Sequence, residues 1–488
     1  MTDSFLGIDV GTSGVKAVLL DEAGSVTAQA QAPLIVSRPK DGWSEQDPAG
    51  WWRATNEAVL ALPEAGRRAV RAIGLSGQMH GATLLGAKDE VLRPAILWND
   101  GRSAAQCEEI VRREPRTHEI TGNAVFPGFT APKLLWVAEH EPDVFAATER
   151  VLLPKDYVRL LMTGVAASDM SDASGTSWLD VGARTWSDAM LSACGLTGGH
   201  MPDLFEGSEA TGGLLPEIAS DWGVDPVPVA AGGGDNAAGA VGLGVARDGE
   251  AFLSLGTSGV LFVASSQFAP NPASGVHAFC HALPDTWHEM TVMLSAASCL
   301  DWAARLTRSP DVGALVAEAE AAGEIGGPLL FLPYLSGERT PHNDPHARGV
   351  LSGLDHDAGP AAIGQAVLEG VALGLAQGLG ALSAPERTKS FTVAGGGARS
   401  AWWGRVLAAA LGRPLVYREG SEVGPALGAA KLAQLCVGGD PAAVLAPPKI
   451  AATVEPDADD AERLAAKAER FAALYRQTAD LMSAKPNT

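Results

Sequence analysis

Two short segments of the chain contain the same turn, and its residue types suit phosphate binding. Gly-Thr-Ser-Gly occurs at residues 11–14 and again at 256–259, each time between two apolar runs that predict β-strands. Glycine lets backbone N–H groups approach a ligand, consecutive N–H groups form an anion-binding concavity, and the hydroxyls add donors. A single copy is more typical of a plain tight turn. Two copies predict two hairpins that grip the phosphates of one nucleotide, through Gly11, Thr12, Ser13, Gly256, Thr257 and Ser258.

The strands before the two turns differ at one informative position. Asp9 stands in the first copy where the second has Ser254. A carboxylate beside bound phosphates repels them unless a cation lies between, and Mg²⁺ takes oxygen ligands while keeping much of its water. We therefore expect Asp9 to act with Mg²⁺, either directly or through water. The alternative is an aspartate that caps the turn.

A second candidate carboxylate, Asp235, follows three glycines at the end of an apolar stretch, residues 227–230. In α/β proteins such strand ends carry ligand-binding groups. Asp235 also lies just before the second Gly-Thr-Ser-Gly copy, so we expect it to face a cleft between two halves. A carboxylate there can accept the proton of a substrate hydroxyl that attacks phosphorus, and a weak base suffices for this. The alternative is a helix N-cap before the Ala-rich run.

A polar corner follows another predicted strand, at residues 77–81. Gln78 and His80 suit the hydroxyls of a sugar, and Met79 between them suits its carbon face. The alternative is an ordinary turn with a solvated histidine.

Strands and helices must position these residues, and the sequence predicts two related sets of such elements, one in each half of the chain. Gly11 and Gly256 are 245 residues apart (256 − 11), about half of the 488 residues. Recurrence of a strand–turn–strand unit at half the length predicts two domains of related topology, with limits at 1–245 and 246–488. The predicted strands are residues 5–10, 15–20, 25–31, 70–75 and 390–393. The predicted helices are residues 48–62, 296–306 and 401–411, and a helix that is capped by Ser421 and ends at 435. A last helix, at 461–483, is predicted to be amphipathic.

Composition narrows the class of protein. There are 57 acidic against 36 basic residues, a net charge of −21, which argues against a nucleic-acid or membrane partner. Five scattered cysteines are not a disulfide framework and favour a reducing compartment. The first residues lack a basic region followed by an apolar one, so we expect no signal peptide and a cytoplasmic location.

With these motifs in hand, the chain from about Phe5 to Leu435 resembles the FGGY carbohydrate kinases. The motifs are specific in combination; they are residues 7–16, 43–48, 77–81, 95–102, 127–136, 168–180, 232–240, 253–259, 334–341 and 395–400. The resemblance implies an α/β protein with the actin-like ATPase (ribonuclease H-like) fold, two related domains around a central cleft. It also implies ATP as co-substrate and Mg²⁺ as cofactor.

The resemblance implies a role for each matching residue. Asp235 matches the catalytic base, and Asp9 matches the acidic residue near the metal and phosphates. Met79 and His80 match the pair that contacts the sugar, with Gln78 and Asn236 beside them. The turn at 256–259 matches a nucleotide-phosphate turn. The loop expected on the adenosine side comprises Gly395, Gly396, Gly397 and Ala398.

The implied reaction is phosphorylation of a ketose, with D-xylulose favoured, at its terminal hydroxyl. ATP is expected mainly on the second domain and the sugar on the first, with Asp235 between them. The alternatives are a kinase of ribulose, fuculose or glycerol, a non-catalytic sugar or nucleotide sensor, and an actin- or chaperone-like ATPase. The oligomeric state is left open, with a homodimer as one option.

Overall fold

The computed structural model describes residues 3–323, 325–395, 400–420 and 423–483. Its strands alternate with helices in both halves of the chain. The strands of the first half are β1 (Ser4–Val10), β2 (Gly14–Asp21), β3 (Val26–Pro33), β4 (Glu45–Gln46), β5 (Val70–Gly77), β6 (Thr83–Leu85), β7 (Ala95–Ile96), β8 (Arg150–Leu152), β9 (Ala167–Asp169), β10 (Leu179–Asp180), β11 (Thr185–Trp186), β12 (Asp203–Phe205), β13 (Ala210–Gly213), β14 (Pro228–Ala230) and β15 (Gly233–Gly234). Those of the second half are β16 (Ala251–Leu255), β17 (Gly259–Ser265), β18 (His277–Cys280), β19 (Trp287–Met293), β20 (Leu330–Leu332), β21 (Val350–Ser352), β22 (Phe391–Ala394), β23 (Leu415–Arg418) and β24 (Ile450–Val454).

The helices pack on the faces of the sheets that these strands form. Those of the first half are α1 (Pro48–Leu60), α2 (Glu64–Arg67), α3 (Ala104–Arg113), α4 (Thr117–Thr121), α5 (Thr130–His140), α6 (Pro142–Ala147), α7 (Pro154–Thr163), α8 (Met170–Ser174), α9 (Asp188–Ala193), α10 (Pro216–Trp222) and α11 (Asp235–Leu243). Those of the second half are α12 (Ala297–Thr307), α13 (Val312–Ala322), α14 (Pro360–Gly380), α15 (Ala401–Leu411), α16 (Pro425–Cys436), α17 (Pro441–Val444) and α18 (Ala458–Ser483).

The two large sheets share one topology. The first has the strand order β3-β2-β1-β5-β14-β13, and the second has β19-β17-β16-β22-β23-β24, with β18 added beside β19. In each sheet the glycine-turned hairpin is antiparallel, the next two strands run parallel to its first strand, and the last strand is antiparallel. The structure therefore confirms two related folding units, as the repeat predicts.

Local signals in the sequence locate most elements to within a few residues. The Asp47 carboxylate accepts a hydrogen bond from Ala49 N at 3.0 Å and caps α1, whose first residue is Pro48. Helix α15 runs over 401–411 as predicted and ends at Gly412 in the left-handed conformation. The predicted cap at Ser421 lies outside the described residues, and the helix assigned to it begins at Pro425.

Helix α16 belongs to the second half of the chain but packs on the first sheet. A Cβ on Gly7 of β1 would lie 2.0 Å from Ala426 O, and a Cβ on Gly74 of β5 would lie 1.9 Å from Ala429 O. On its other side, a Cβ on Gly428 would lie 1.6 Å from Ala238 O of α11. The unit built on the first sheet thus includes residues from near the end of the chain. The domain limits at 245/246 remain a prediction.

Helices α14 and α18 belong to the core of the second unit. The predicted amphipathic helix is α18, whose Leu464 and Phe471 are buried in that core. Within the described ranges, α14 is the one helix long and apolar enough to cross a membrane. Most of it is buried against α12, α13 and α15, which is the environment of a core helix.

Candidate active site

The candidate carboxylates lie at the carboxyl ends of neighbouring parallel strands. Asp9 of β1 is in register with Ser76 of β5, and Gly77 of β5 is in register with Gly234 of β15. Asp235 follows Gly234 directly and is the first residue of α11. Strand pairing across β5 therefore brings together residues that are 226 positions apart in the sequence (235 − 9).

Asp235 is held in one orientation by its neighbour. Its Oδ1 accepts hydrogen bonds from Asn236 N at 2.7 Å and from Asn236 Nδ2 at 2.9 Å. Burial raises the pKa of Asp235 to about 6, while the two bonds from Asn236 oppose the rise. The N-cap of α11 is Gly234, not Asp235, and no capping bond from the Asp235 side chain to α11 beyond Asn236 occurs in the described part of the chain. The carboxylate can thus act as a weak base at neutral pH.

Asp9 has the features of a carboxylate that binds a cation. Burial raises its pKa to about 7, the charge of Asp235 adds to the rise, and Ser76 and Lys16 oppose it. Among the described residues, its Oδ1 is buried without a hydrogen-bond partner. A buried oxygen of this kind is costly unless an external group satisfies it. The donor chemistry of Asp9 therefore fits Mg²⁺, which binds proteins through one or two carboxylates and takes its other ligands from phosphate and water.

Met79 and His80 adjoin Asp235 on the first unit. A Cβ on Gly234 would lie 2.9 Å from the Met79 side chain, so Met79 packs directly against the residue before the candidate base. The His80 ring lies 4.8 Å from that of Phe129, and its Nδ1 is 2.7 Å from Gly175 O. Because a carbonyl oxygen only accepts, Nδ1 carries the proton and Nε2 is an acceptor. Burial lowers the pKa of His80 to about 3, so the ring is neutral at physiological pH.

The same corner contains residues from the second unit that sequence reasoning did not assign. The Arg339 guanidinium lies 4.5 Å from the centre of the Phe126 ring and 3.2 Å from His277 Nε2. Burial lowers the pKa of Arg339 to about 10, which still leaves it charged. Phe126 packs against Phe129 and thereby against His80. Arg339 lies within the motif at 334–341, and Phe126 lies directly before the motif at 127–136, so the available signal was the motif and not the chemistry of either residue.

Gln78 lies behind the first glycine turn. Its amide nitrogen, Nε2, donates to Gln46 Oε1 at 2.8 Å and to Gly11 O at 3.4 Å. Its Oε1 accepts from the Thr12 hydroxyl at 3.0 Å, and Trp98 Nε1 donates to that hydroxyl oxygen at 3.0 Å. The amide of Gln78 therefore positions the turn, and its contact with a sugar remains a prediction.

The second turn is anchored to a helix and to the loop expected near adenosine. Ala297 N, at the start of α12, donates to Gly256 O at 3.0 Å, and in the turn itself Thr257 is exposed and Ser258 is half-buried. Ala394, the last residue of β22, is in register with Ser254, so Gly395 follows beside the end of β16. The remaining predicted residues of that loop, Gly396, Gly397 and Ala398, lie outside the described residues. A grip of both turns on one nucleotide remains a prediction.

Comparison with known proteins agrees with this architecture. Residues 4–242 match the N-terminal domain, and residues 251–435 the C-terminal domain, of the FGGY family of carbohydrate kinases. The chain is 55% identical to a xylulose kinase of Escherichia coli (strain K12), over 98% of this chain and 100% of the relative.

Solved structures support the same fold. The crystal structure of a xyloylose kinase from Brucella ovis superposes with a TM-score of 0.95 at 50% identity, covering 98% of this chain and 100% of that one. A xylulose kinase from Rhodospirillum rubrum gives a TM-score of 0.91 at 28% identity, covering 99% and 100%. The expected two-domain, actin-like α/β fold is confirmed.

Proposed function

The chain belongs to the FGGY family of carbohydrate kinases, and we propose that it transfers the γ-phosphoryl group of ATP to the terminal hydroxyl of D-xylulose, giving D-xylulose 5-phosphate. The observation that carries the proposal is the position of Asp235, beside the Met79–His80 corner and coupled electrostatically to Asp9. That arrangement supports a base between a sugar and a metal-bound phosphate. The similarity to xylulose kinases along nearly the whole chain supports the choice of sugar.

In the proposed reaction, Asp235 accepts the proton of the terminal hydroxyl as its oxygen bonds to the γ-phosphorus. The bond from that phosphorus to the bridging oxygen of ADP breaks, and the proton stays on Asp235 until solvent removes it. The two bonds from Asn236 to Oδ1 leave Oδ2 as the oxygen that faces the hydroxyl. A pKa near 6 is sufficient because the phosphoryl-transfer transition state places little demand on early deprotonation.

Asp9 would hold Mg²⁺, and we propose that the ion reaches the site together with ATP. When bound, Mg²⁺ would supply neutralisation of the phosphate charge, in a chain whose own net charge is −21. The contribution of the chain is a carboxylate whose buried Oδ1 has no competing donor among the described residues.

His80 and Met79 would orient the sugar. The neutral His80 ring offers Nε2 as an acceptor for a hydroxyl, and the Met79 side chain offers an apolar surface for the carbon backbone. The charged Arg339 lies across the same corner from the second unit, so its donors become part of the pocket only when the two units are together. We expect closure to exclude water, which competes with the sugar as nucleophile.

Release of ADP, measured with Mg·ATP and a panel of sugars, tests the proposal. The panel comprises D-xylulose, D-ribulose, L-fuculose and glycerol, and we expect kcat/KM for D-xylulose to exceed the others by about tenfold or more. A higher value for another member would reject the substrate. Release of ADP that no sugar stimulates would reject the kinase assignment and favour a sensor or an actin-like ATPase.

A variant tests the role of the base in the same assay. Asp235→Asn should lower kcat by about 10³-fold or more with little change in sugar affinity, because the amide cannot accept the proton. The matched control is Asp225→Asn, which removes an exposed aspartate from the same half of the chain and should leave kcat unchanged. Near-normal turnover of Asp235→Asn would remove it from the reaction.

We further propose a cytoplasmic location, which the free state of the five cysteines supports.

A further inference from the structure

A cluster of buried ions lies behind the loop that carries Asp235. Lys155 Nζ is 2.6 Å from Asp156 Oδ1, 2.8 Å from Asp169 Oδ1 and 3.2 Å from Asp172 Oδ2, and these side chains have no exposed surface. Arg159 joins the cluster through its Nη1, 2.7 Å from Asp156 Oδ1. In the described part of the chain, the charged groups of these residues make no ion pair or hydrogen bond with Met79, His80 or Asp235, so the reaction as described leaves the cluster without a role.

The charges of the cluster nearly cancel. Two cations face three carboxylates, and burial, with the neighbouring carboxylates, raises the pKa of Asp172 well above its usual range, against the pull of Lys155. A protonated Asp172 leaves two cations with two anions. Replacing such a set by apolar residues often costs nothing in stability, so its presence calls for another advantage, such as a fixed geometry.

The cluster reaches the loop before Asp235 at both ends. The Ser171 hydroxyl donates to Asp169 Oδ2 and accepts from Gly234 N at 3.0 Å. At the other end, Arg159 Nη2 donates to Ala231 O. The three glycines between these two bonds, residues 232–234, have no side chains with which to hold their own position.

The loop cannot be stiffened from within. Gly232 has a φ of +77°, and a Cβ there would lie 1.8 Å from Leu75 O of β5. A bulkier and less flexible residue is therefore excluded, and the position of Asp235 depends on bonds from outside the loop.

We propose that Ser171 is a positioning residue for the reaction: it couples the buried Lys155–Asp169 ion pair to Gly234 N and thereby holds the Asp235 carboxylate in line with the attacking hydroxyl. This rests on the proposed function, in which Asp235 is the base. The same short helix also places His80, because Gly175 O, directly after α8, accepts from His80 Nδ1. One anchored helix thus sets both the base and a sugar contact.

If Ser171 only stabilised the fold, its replacement would affect stability and not the rate of the reaction. Ser168 provides a matched control for this alternative. Ser168 is equally buried and donates to Asp156 Oδ2 of the same cluster at 2.6 Å, and among the described residues its hydroxyl makes no hydrogen bond to residues 231–235. Ser168→Ala and Ser171→Ala each delete one buried hydroxyl from the same network. They should lower the melting temperature by similar amounts if the network only stabilises the fold.

The experiment compares both variants with the wild type in melting temperature, in kcat and in KM for D-xylulose. We expect Ser171→Ala to lower kcat by about 10- to 100-fold with KM changed by less than about threefold, because a displacement of the base by a fraction of an ångström affects the reaction and not the ground-state contacts of the sugar. We expect Ser168→Ala to keep kcat within about threefold. An unchanged kcat in folded Ser171→Ala, or an equal loss in Ser168→Ala, would overturn the inference.

A second variant covers the case in which Ser171→Ala does not fold. Ser171→Cys keeps nearly the same volume, while its sulfur is a weak acceptor for Gly234 N, so kcat should fall with a smaller loss of stability. Full activity of Ser171→Cys would contradict the inference. If wild-type protein does not phosphorylate D-xylulose, the proposed substrate is wrong, and the serine variants are then compared on the sugar of the panel that is phosphorylated.

Discussion

Replacement of Asp9 by asparagine should stabilise the protein at alkaline pH while it abolishes activity. The pKa of Asp9 is raised from 3.8 to about 7, chiefly by burial. A raised pKa means that the folded state favours the protonated carboxyl. The stability associated with that preference is fully present below about pH 4 and is lost as the pH rises through about 7. Asparagine cannot ionise, so the variant does not undergo this loss.

The size of the effect follows from the shift. A change from 3.8 to about 7 is about three pKa units, or about 4 kcal/mol at one unit per 1.4 kcal/mol. Asp9 is only half-buried as a residue, so water screens part of this energy, and we expect about 2 kcal/mol at pH 8. For a unit of about 250 residues this corresponds to a rise in melting temperature of about 4 °C.

Thermal unfolding of the wild type and of Asp9→Asn at pH 8, 6 and 4.5 measures the prediction. The advantage of the variant should be largest at pH 8 and shrink toward pH 4.5. Asp225→Asn, at an exposed position, should show no such trend and should lie within about 0.5 kcal/mol of the wild type throughout. A difference that is independent of pH, or a less stable Asp9→Asn at pH 8, would refute the account of Asp9. Loss of Mg²⁺-dependent turnover in the more stable Asp9→Asn variant would support the assignment of Asp9 to the metal.

The remaining predictions concern the base and the packing of α16. The rate at limiting xylulose should fall as the pH drops through about 6, because protonated Asp235 cannot accept the proton of the sugar; a kcat/KM profile without an acidic limb between about pH 5 and 7 would argue against it. Gly428→Ala should destabilise the protein by about 4 kcal/mol or more, since its Cβ would lie 1.6 Å from Ala238 O, whereas Gly380→Ala, at a helical glycine with open space, should be neutral or slightly stabilising in the same denaturant titration.

The positions of residues that depend on a few adjacent residues could be predicted from the sequence. The glycine turns, the cap at Asp47 and the strand-end position of Asp235 each depend on a few adjacent residues, and the structure places all of them in the elements expected. The proximity of Asp9 to Asp235 was not predicted; it arises because the parallel strands that lead to them end at one edge of the sheet.

Contacts between residues that are distant in the chain could not be predicted from the sequence. Arg339 comes to Phe126 from another folding unit, and Lys155 meets Asp169 and Asp172 only when α7 packs beside β9 and α8. The sequence predicts a helix that ends at residue 435, yet nothing local indicates that α16 packs on the first sheet. Charge and packing partners of this kind depend on the complete topology.

The position of α16 has a consequence for synthesis of the chain. One face of the first sheet, formed around Phe5, Val18 and Ala72, is covered by Ala426, Leu427 and other residues of that helix. During translation this apolar face remains open until more than four hundred residues have left the ribosome. The sheet of the amino-terminal half therefore stays partly uncovered during synthesis, and it is open to self-association until the carboxyl-terminal half covers it.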